Sequence, residues 1–108
     1  MSLPQSVGDN VLVIGGYVAK APQTRVSPAG IPITRFLLDH GSQQVEAGLS
    51  REVRCRIAVV ASGADLQNIA GGLSRGRAVR VTGFMARSGY RDSELRIVLH
   101  AQRIEYLD

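Results

Sequence analysis

The chain has no tryptophan, a single cysteine and a single lysine, and aromatic residues fill only 5% of its 108 positions. Each shortage excludes something. One cysteine, Cys55, rules out an intrachain disulfide. With two histidines and no cysteine pair, no zinc-ligand spacing can be assembled. A cytosolic setting without disulfides is the simplest one. No apolar run approaches bilayer-spanning length, and no charged segment leads into an apolar one as in a secretory signal, so no membrane is implied. The pairs Gly15-Gly16 and Gly71-Gly72 lack the Lys-Ser/Thr of a phosphate loop. Ser62 and Ser74 have no triad partner at a suggestive spacing, and no histidine is placed to activate Cys55, which shares its parity with apolar residues and is expected in the core. No acid, base or metal set emerges. The chain is therefore not read as an enzyme, and no catalytic residue, metal or cofactor is predicted.

What is present is positive charge of one kind. Thirteen cations against nine acids leave a net charge of +4, and twelve of the thirteen are arginine. That favours an acidic partner. Arginine offers planar, two-point hydrogen bonding to phosphate and stacks on bases, which lysine does not; genomic base composition is the competing cause of the bias. An apolar fraction of 44% over this length suits one domain with a modest core. Residues 1–9 read as a flexible leader and 10–108 as a single domain.

The plainest periodicity lies in Arg51–Ala61. Val53, Cys55, Ile57 and Val59 share one parity, and Glu52, Arg54 and Arg56 the other. A period of two means a strand with one buried and one wet face. Two arginines on that wet face stand roughly 6.5–7 Å apart, a spacing that suits an extended polyanion. Around this strand the chain reads as follows. Asn10–Lys20 is a first strand, apolar on both parities at Val11, Leu12, Val13 and Ile14, so that a second subunit is expected to cover its outer side. Ala21–Ile31, with Pro22, Pro28 and Gly30, is a loop carrying Arg25. Pro32–His40 is a second strand with Arg35 opposite Phe36 in parity, and Gly41–Ser50 a hairpin-type connection. Leu66, Ile69, Ala70 and Leu73 recur at helical spacing within Ser62–Ser74, with Ser62 as the expected N-cap. Gly76–Ala86 is a fourth strand and Glu94–Tyr106 a fifth, joined by Arg87–Ser93. A parity switch between Ala101 and Ile104 predicts a bulge near Gln102.

Three strands, a short helix and two more strands describe an all-β, five-stranded OB-fold barrel with the helix between strands 3 and 4; an SH3-like barrel is the nearest competitor. Ligands of OB-folds usually lie across strands 2 and 3, between the 1–2 and 4–5 loops. Nine of the thirteen cations fall there: Lys20, Arg25, Arg35, Arg51, Arg54, Arg56, Arg87, Arg91 and Arg96. A basic face of this kind is read as a nucleic-acid site, although exposed parities and loops are also where charge goes in a merely solvated surface. Stacking platforms are few. Tyr90 is the best placed, while Phe36 and Phe84 are expected in the core. Binding is then expected to be sequence-tolerant and steeply salt-sensitive.

Several segments carry a family resemblance. Val26-Ser-Pro-Ala-Gly-Ile-Pro32 followed by Phe36-Leu-Leu-Asp-His40, then Glu46-Ala-Gly48, Val60-Ala-Ser-Gly63, Val81-Thr-Gly-Phe84 and Val98-Leu-His-Ala101, resemble in order the primosomal replication protein N (PriB) family, related to single-stranded DNA-binding proteins. The resemblance covers residues 10 to 107. It implies a homodimeric OB-fold protein of bacterial replication restart. It also implies binding to single-stranded DNA, contact with the primosomal helicase and, in some bacteria, a further loading protein. Family positions that bind DNA fall on Arg25, Arg51, Arg91 and Arg96. Leu49 and Arg54 stand where better-known members carry aromatic platforms, and Gly41 and Gly89 where they carry basic residues. The expected DNA contacts are thus Arg25, Arg35, Arg51, Arg54, Arg56, Tyr90, Arg91 and Arg96, and the expected dimer contacts Val11, Val13 and Ile14. A protein-interaction adaptor and a single-stranded RNA-binding module are the alternative readings.

Overall fold

In the computed structural model, which describes residues 7–88 and 96–108, the elements follow the expected order. They are β1 (Leu12–Val26), β2 (Pro32–Glu46), β3 (Leu49–Ser62), α1 (Ala64–Ala70), β4 (Ala78–Arg87) and β5 (Ile97–Tyr106). The strands close into a barrel in the order β1-β2-β3-β5-β4. All contacts are antiparallel except β3 against β5, which is parallel and short, through Val59 and Val60.

Closure depends on β1 serving two neighbours. Its first half, Leu12–Tyr17, pairs with β4, and its second half, Tyr17–Val26, pairs with β2. At the handover the backbone of Gly16 passes against the Asp39 carbonyl, where any Cβ would collide. A glycine at such a corner lets two backbones approach. Register shifts between Val18 and Lys20 and between Lys20 and Gln23 bend the strand. Pro22 falls in that bulged interval, where no ladder donor is required of it. β1 therefore runs six residues past Lys20, and Arg25 lies on a strand, paired with Ile33, instead of in the expected loop. At the second corner, β5 carries an extra residue: Thr82 faces Arg103 and Gly83 faces Ala101, leaving Gln102 as the expected bulge.

The inward parities of all five strands fill the core with Val18, Phe36, Leu38, Val59, Val81, Leu99 and Ile104. Leu66, Ile69, Ala70 and Leu73 pack α1 and its exit against that core, as their spacing predicts. The helix N-cap is Gly63 (φ 105°), without a side-chain cap; Ser62 does not serve because β3 extends through it. Instead Gln67 of α1 meets two threonines paired across β1 and β2. Buried Thr34 donates to Gln67 Oε1 (2.5 Å) and shares a hydrogen bond with Thr24 Oγ1 (2.8 Å). Phe84 is not in the core. It turns outward on β4, half-buried, and stacks on His100 of β5.

Beyond the barrel, β2 and β3 continue as a two-stranded ribbon. Their pairing is unbroken from Ile33↔Ser62 to Glu46↔Leu49, turning through Ala47 (φ 54°) and Gly48 (φ 75°). Two consecutive left-handed residues make the type of turn that matches strand twist. The expected connection Gly41–Ser50 is therefore mostly strand. Among the described residues nothing packs over the ribbon, and Cys55 is exposed rather than buried. His40 closes the seam at the ribbon's root: its Nδ1–H donates to the Gly15 carbonyl (2.7 Å) and its Nε2 bonds Ser42 Oγ (2.8 Å).

Candidate nucleic-acid interface

The unbroken β2–β3 register assigns every side chain to a face. Paired residues share a side, so Arg35/Val60, Leu37/Ala58, Asp39/Arg56 and Gly41/Arg54 form the outer face. Arg51 pairs with Gln44 and belongs, with Val53 and Cys55, to the opposite side. It does not join Arg54 and Arg56, because its offset from each of them along the strand, three and five positions, is odd.

The ribbon arginines are occupied. Arg56 reaches Asp39 through two contacts, Nε–Oδ1 at 2.7 Å and Nη2–Oδ2 at 3.1 Å. Arg54 lies 2.7 Å from Glu52, and Arg51 2.5 Å from Glu46. The hydrogen bond from Arg56 holds the Asp39 carboxyl below its ordinary pKa, against an opposing push from lost hydration, and the same bond raises Arg56. All three pairs are exposed, so water and salt screen them and a competing anion can exchange for the carboxylate.

A different set of cations has no such partner. Lys20, Arg25 and Arg35 converge on a cleft of about 310 Å³ between the second half of β1 and β2. Phe36, Leu37 and Ala58 supply its apolar floor. Arg25 and Arg35 also line a smaller adjoining hollow of about 120 Å³ with Gln23, Thr24 and Ile33. Among the described residues, none of the three cations has a carboxylate within ion-pair reach. Their positions follow from the bulged β1 and the Thr24–Thr34–Gln67 bonds beneath it, which fix the strand from which Arg25 projects. Three unpaired positive charges around an apolar floor can hold phosphate at the rim and the flat, less polar part of a nucleotide below.

Of the sequence-derived contacts, the structure thus brings Arg25 and Arg35 together, sets Arg54 and Arg56 farther along the same outer face, and turns Arg51 away. Arg96 sits at the foot of the β4–β5 connection, where its carbonyl accepts from Ser88 N (2.9 Å). Tyr90 and Arg91 lie outside the described residues. The apolar floor at Leu37 and Ala58 was readable only as outward parity on strands 2 and 3; nothing in the composition marks it. Val11 and Val13 are 78% and 56% exposed on the outer side of the β1 end. Ile14 instead turns inward and packs against the core, so it is not part of that outer surface. No group of metal-ligating side chains occurs among the described residues, and none of their helices is long and apolar enough to cross a membrane.

Comparison with known proteins agrees with this fold. The sequence profile described as another single-strand binding protein family matches residues 10–103. Replication restart protein PriB of Photorhabdus laumondii subsp. laumondii is 46% identical over 99 residues, covering 92% of this chain and 94% of the relative. The PriB of Erwinia tasmaniensis is 44% identical over 99 residues, covering 92% and 94%. Among solved structures, protein PriB from Ralstonia solanacearum superposes with a TM-score of 0.80 at 25% identity, covering 94% of this chain and all of that one. The single-stranded DNA binding protein of Thermus aquaticus shares the fold, with a TM-score of 0.77 at 24% identity, over 95% of this chain and 52% of that one.

Proposed function

We infer what this chain does from the family it belongs to, the replication restart proteins PriB within the single-strand binding proteins: it is a non-enzymatic protein that binds single-stranded DNA in the bacterial cytoplasm and stabilises the primosomal helicase on it during replication restart. The observation that carries this reading is the cluster of unpaired Lys20, Arg25 and Arg35 around an apolar cleft on the outer β1–β2–β3 face. Phosphates enter there without displacing a carboxylate, whereas at Arg54 and Arg56 they must first exchange with Glu52 and Asp39. The protein works as a homodimer through the outer side of the β1 end, a role supported by exposed Val11, Val13 and Tyr17. Its bound DNA and the helicase are contacted together, and a further loading protein joins the same assembly.

The test is a titration of labelled single-stranded and duplex oligonucleotides at two salt concentrations. Tighter binding to the single strand, weakening steeply with salt, is expected. Equal binding to duplex, or no binding at low salt, would sink the reading. Retention of the helicase on forked DNA, with and without this protein, tests the second half; unchanged retention removes it.

A further inference from the structure

The segment Val98-Leu-His-Ala101 plays no part in the cleft, yet it places a ring beside it. His100 on β5 lies parallel to Phe84 on β4, with centroids 5.1 Å apart and 6° between the planes. Their chain neighbours Leu99 and Met85 point into the core, so both rings stand on the outer side of the barrel, half-buried. Register ties them to the cleft. Phe84 pairs with His100, His100 with Val60, and Val60 with Arg35. The four side chains form one row across β4, β5, β3 and β2. At about 4.8 Å per strand, His100 stands roughly 10 Å and Phe84 roughly 14 Å from Arg35 along the sheet.

That row reads as cation, aliphatic spacer, flat pair, which is the order of chemistry a nucleotide strand presents when a phosphate is held at Arg35 and a following base swings over the sheet. We propose that the Phe84–His100 pair is a stacking platform for a nucleobase of single-stranded DNA whose backbone is held at the cleft; the proposal rests on the single-strand reading above. The two rings are stacked on one another before any ligand arrives, so no side-chain freedom is lost in forming the platform. Any base has a π face to lay on it, so the contact is sequence-tolerant. A cross-strand aromatic pair also steadies the sheet, and the experiment has to separate the two roles.

The probes are a labelled oligo-dT and an abasic oligonucleotide of the same length, which share phosphates but not bases. The unaltered protein should bind oligo-dT more tightly. Phe84→Leu should lose about fivefold or more on oligo-dT, little on the abasic strand, and leave the salt slope unchanged; Phe84→Tyr, which keeps a ring, should restore the preference. His100→Gln is the second variant should Phe84→Leu melt early in a thermal scan. A base-over-abasic preference that is the same in the variants and the unaltered protein, whether or not both affinities fall, overturns the proposal. Equal binding of the two strands by the unaltered protein overturns it alone, while no binding of either overturns the single-strand reading as well.

Discussion

Asp39 and Arg56 face each other across β2 and β3 and hold a two-point contact, 2.7 and 3.1 Å, at the point where the barrel becomes a ribbon. The carboxylate thereby occupies a guanidinium that stands on the same outer face as the cleft cations. Asp39→Asn should release it. Oligonucleotide binding at low salt should tighten, and the salt slope should steepen by about 0.7, the increment for one further phosphate contact on a single strand. Unchanged affinity would mean that Arg56 lies off the path of the DNA. The pair also leaves a mark on stability. Because the Asp39 pKa is depressed in the fold, its contribution is present above the unfolded value of about 3.9 and is lost as pH falls through the folded one. Melting curves of the native protein and Asp39→Asn should therefore converge in acid and separate towards neutral pH.

The cleft and the far side of the ribbon make an opposed pair of mutations. Arg25→Ala with Arg35→Ala should lower the salt slope by about 1.4, two phosphate contacts' worth, and weaken all sequences alike. Arg51→Ala, on the other face and paired with Glu46, should change affinity little. Fluorescence anisotropy over a salt series reads both. The reverse ranking would place the DNA on the Cys55 side.

Val13→Asp and Ile14→Asp separate interface from core at adjacent positions. Val13 points outward, so its aspartate variant should stay folded and fall to half the mass in light scattering if two copies join there. Ile14 packs against the core, so an aspartate in its place buries an unpaired charge and should unfold the chain. A folded, undiminished oligomer from Val13→Asp would move the dimer contact elsewhere.

Gly16→Ala tests the first barrel corner. The added methyl meets the Asp39 carbonyl and carbon with no room to shift, since both belong to backbone. Denaturant unfolding should show a loss of about 1–3 kcal/mol with the slope of the transition unchanged.

Much of this architecture is legible in the amino-acid sequence. Alternation of Val53, Cys55, Ile57 and Val59 found β3, helical spacing found α1, and the parity switch found Gln102. The failures share a cause. Pro22 and Gly41 read as punctuation, but local propensity cannot tell that a proline falls in a bulge or that a glycine lies on a strand with an open edge. Cys55 obeys the apolar parity of its strand; only the barrel's limited height decides that this part of β3 has no core to face. Phe84 shows the converse. Its parity matched Arg80, yet its hydrophobicity argued for burial, and parity prevailed. Arg51 shares strand β3 with Arg54, and counting residues already puts the two on opposite faces. The cleft itself was invisible because it arises from the bend of β1, a tertiary event.

The ribbon carries a last consequence. Its strands are held by backbone pairing and a two-residue turn, and its side chains answer to no core. Substitutions there are free of the packing penalties that govern the barrel. An aromatic exchanged for an arginine at position 54 alters what the surface attracts while leaving the folding free energy nearly untouched. The surface chemistry of the ribbon is thus free to drift, while the barrel stretch of the same hairpin, whose side chains answer to the core, stays put.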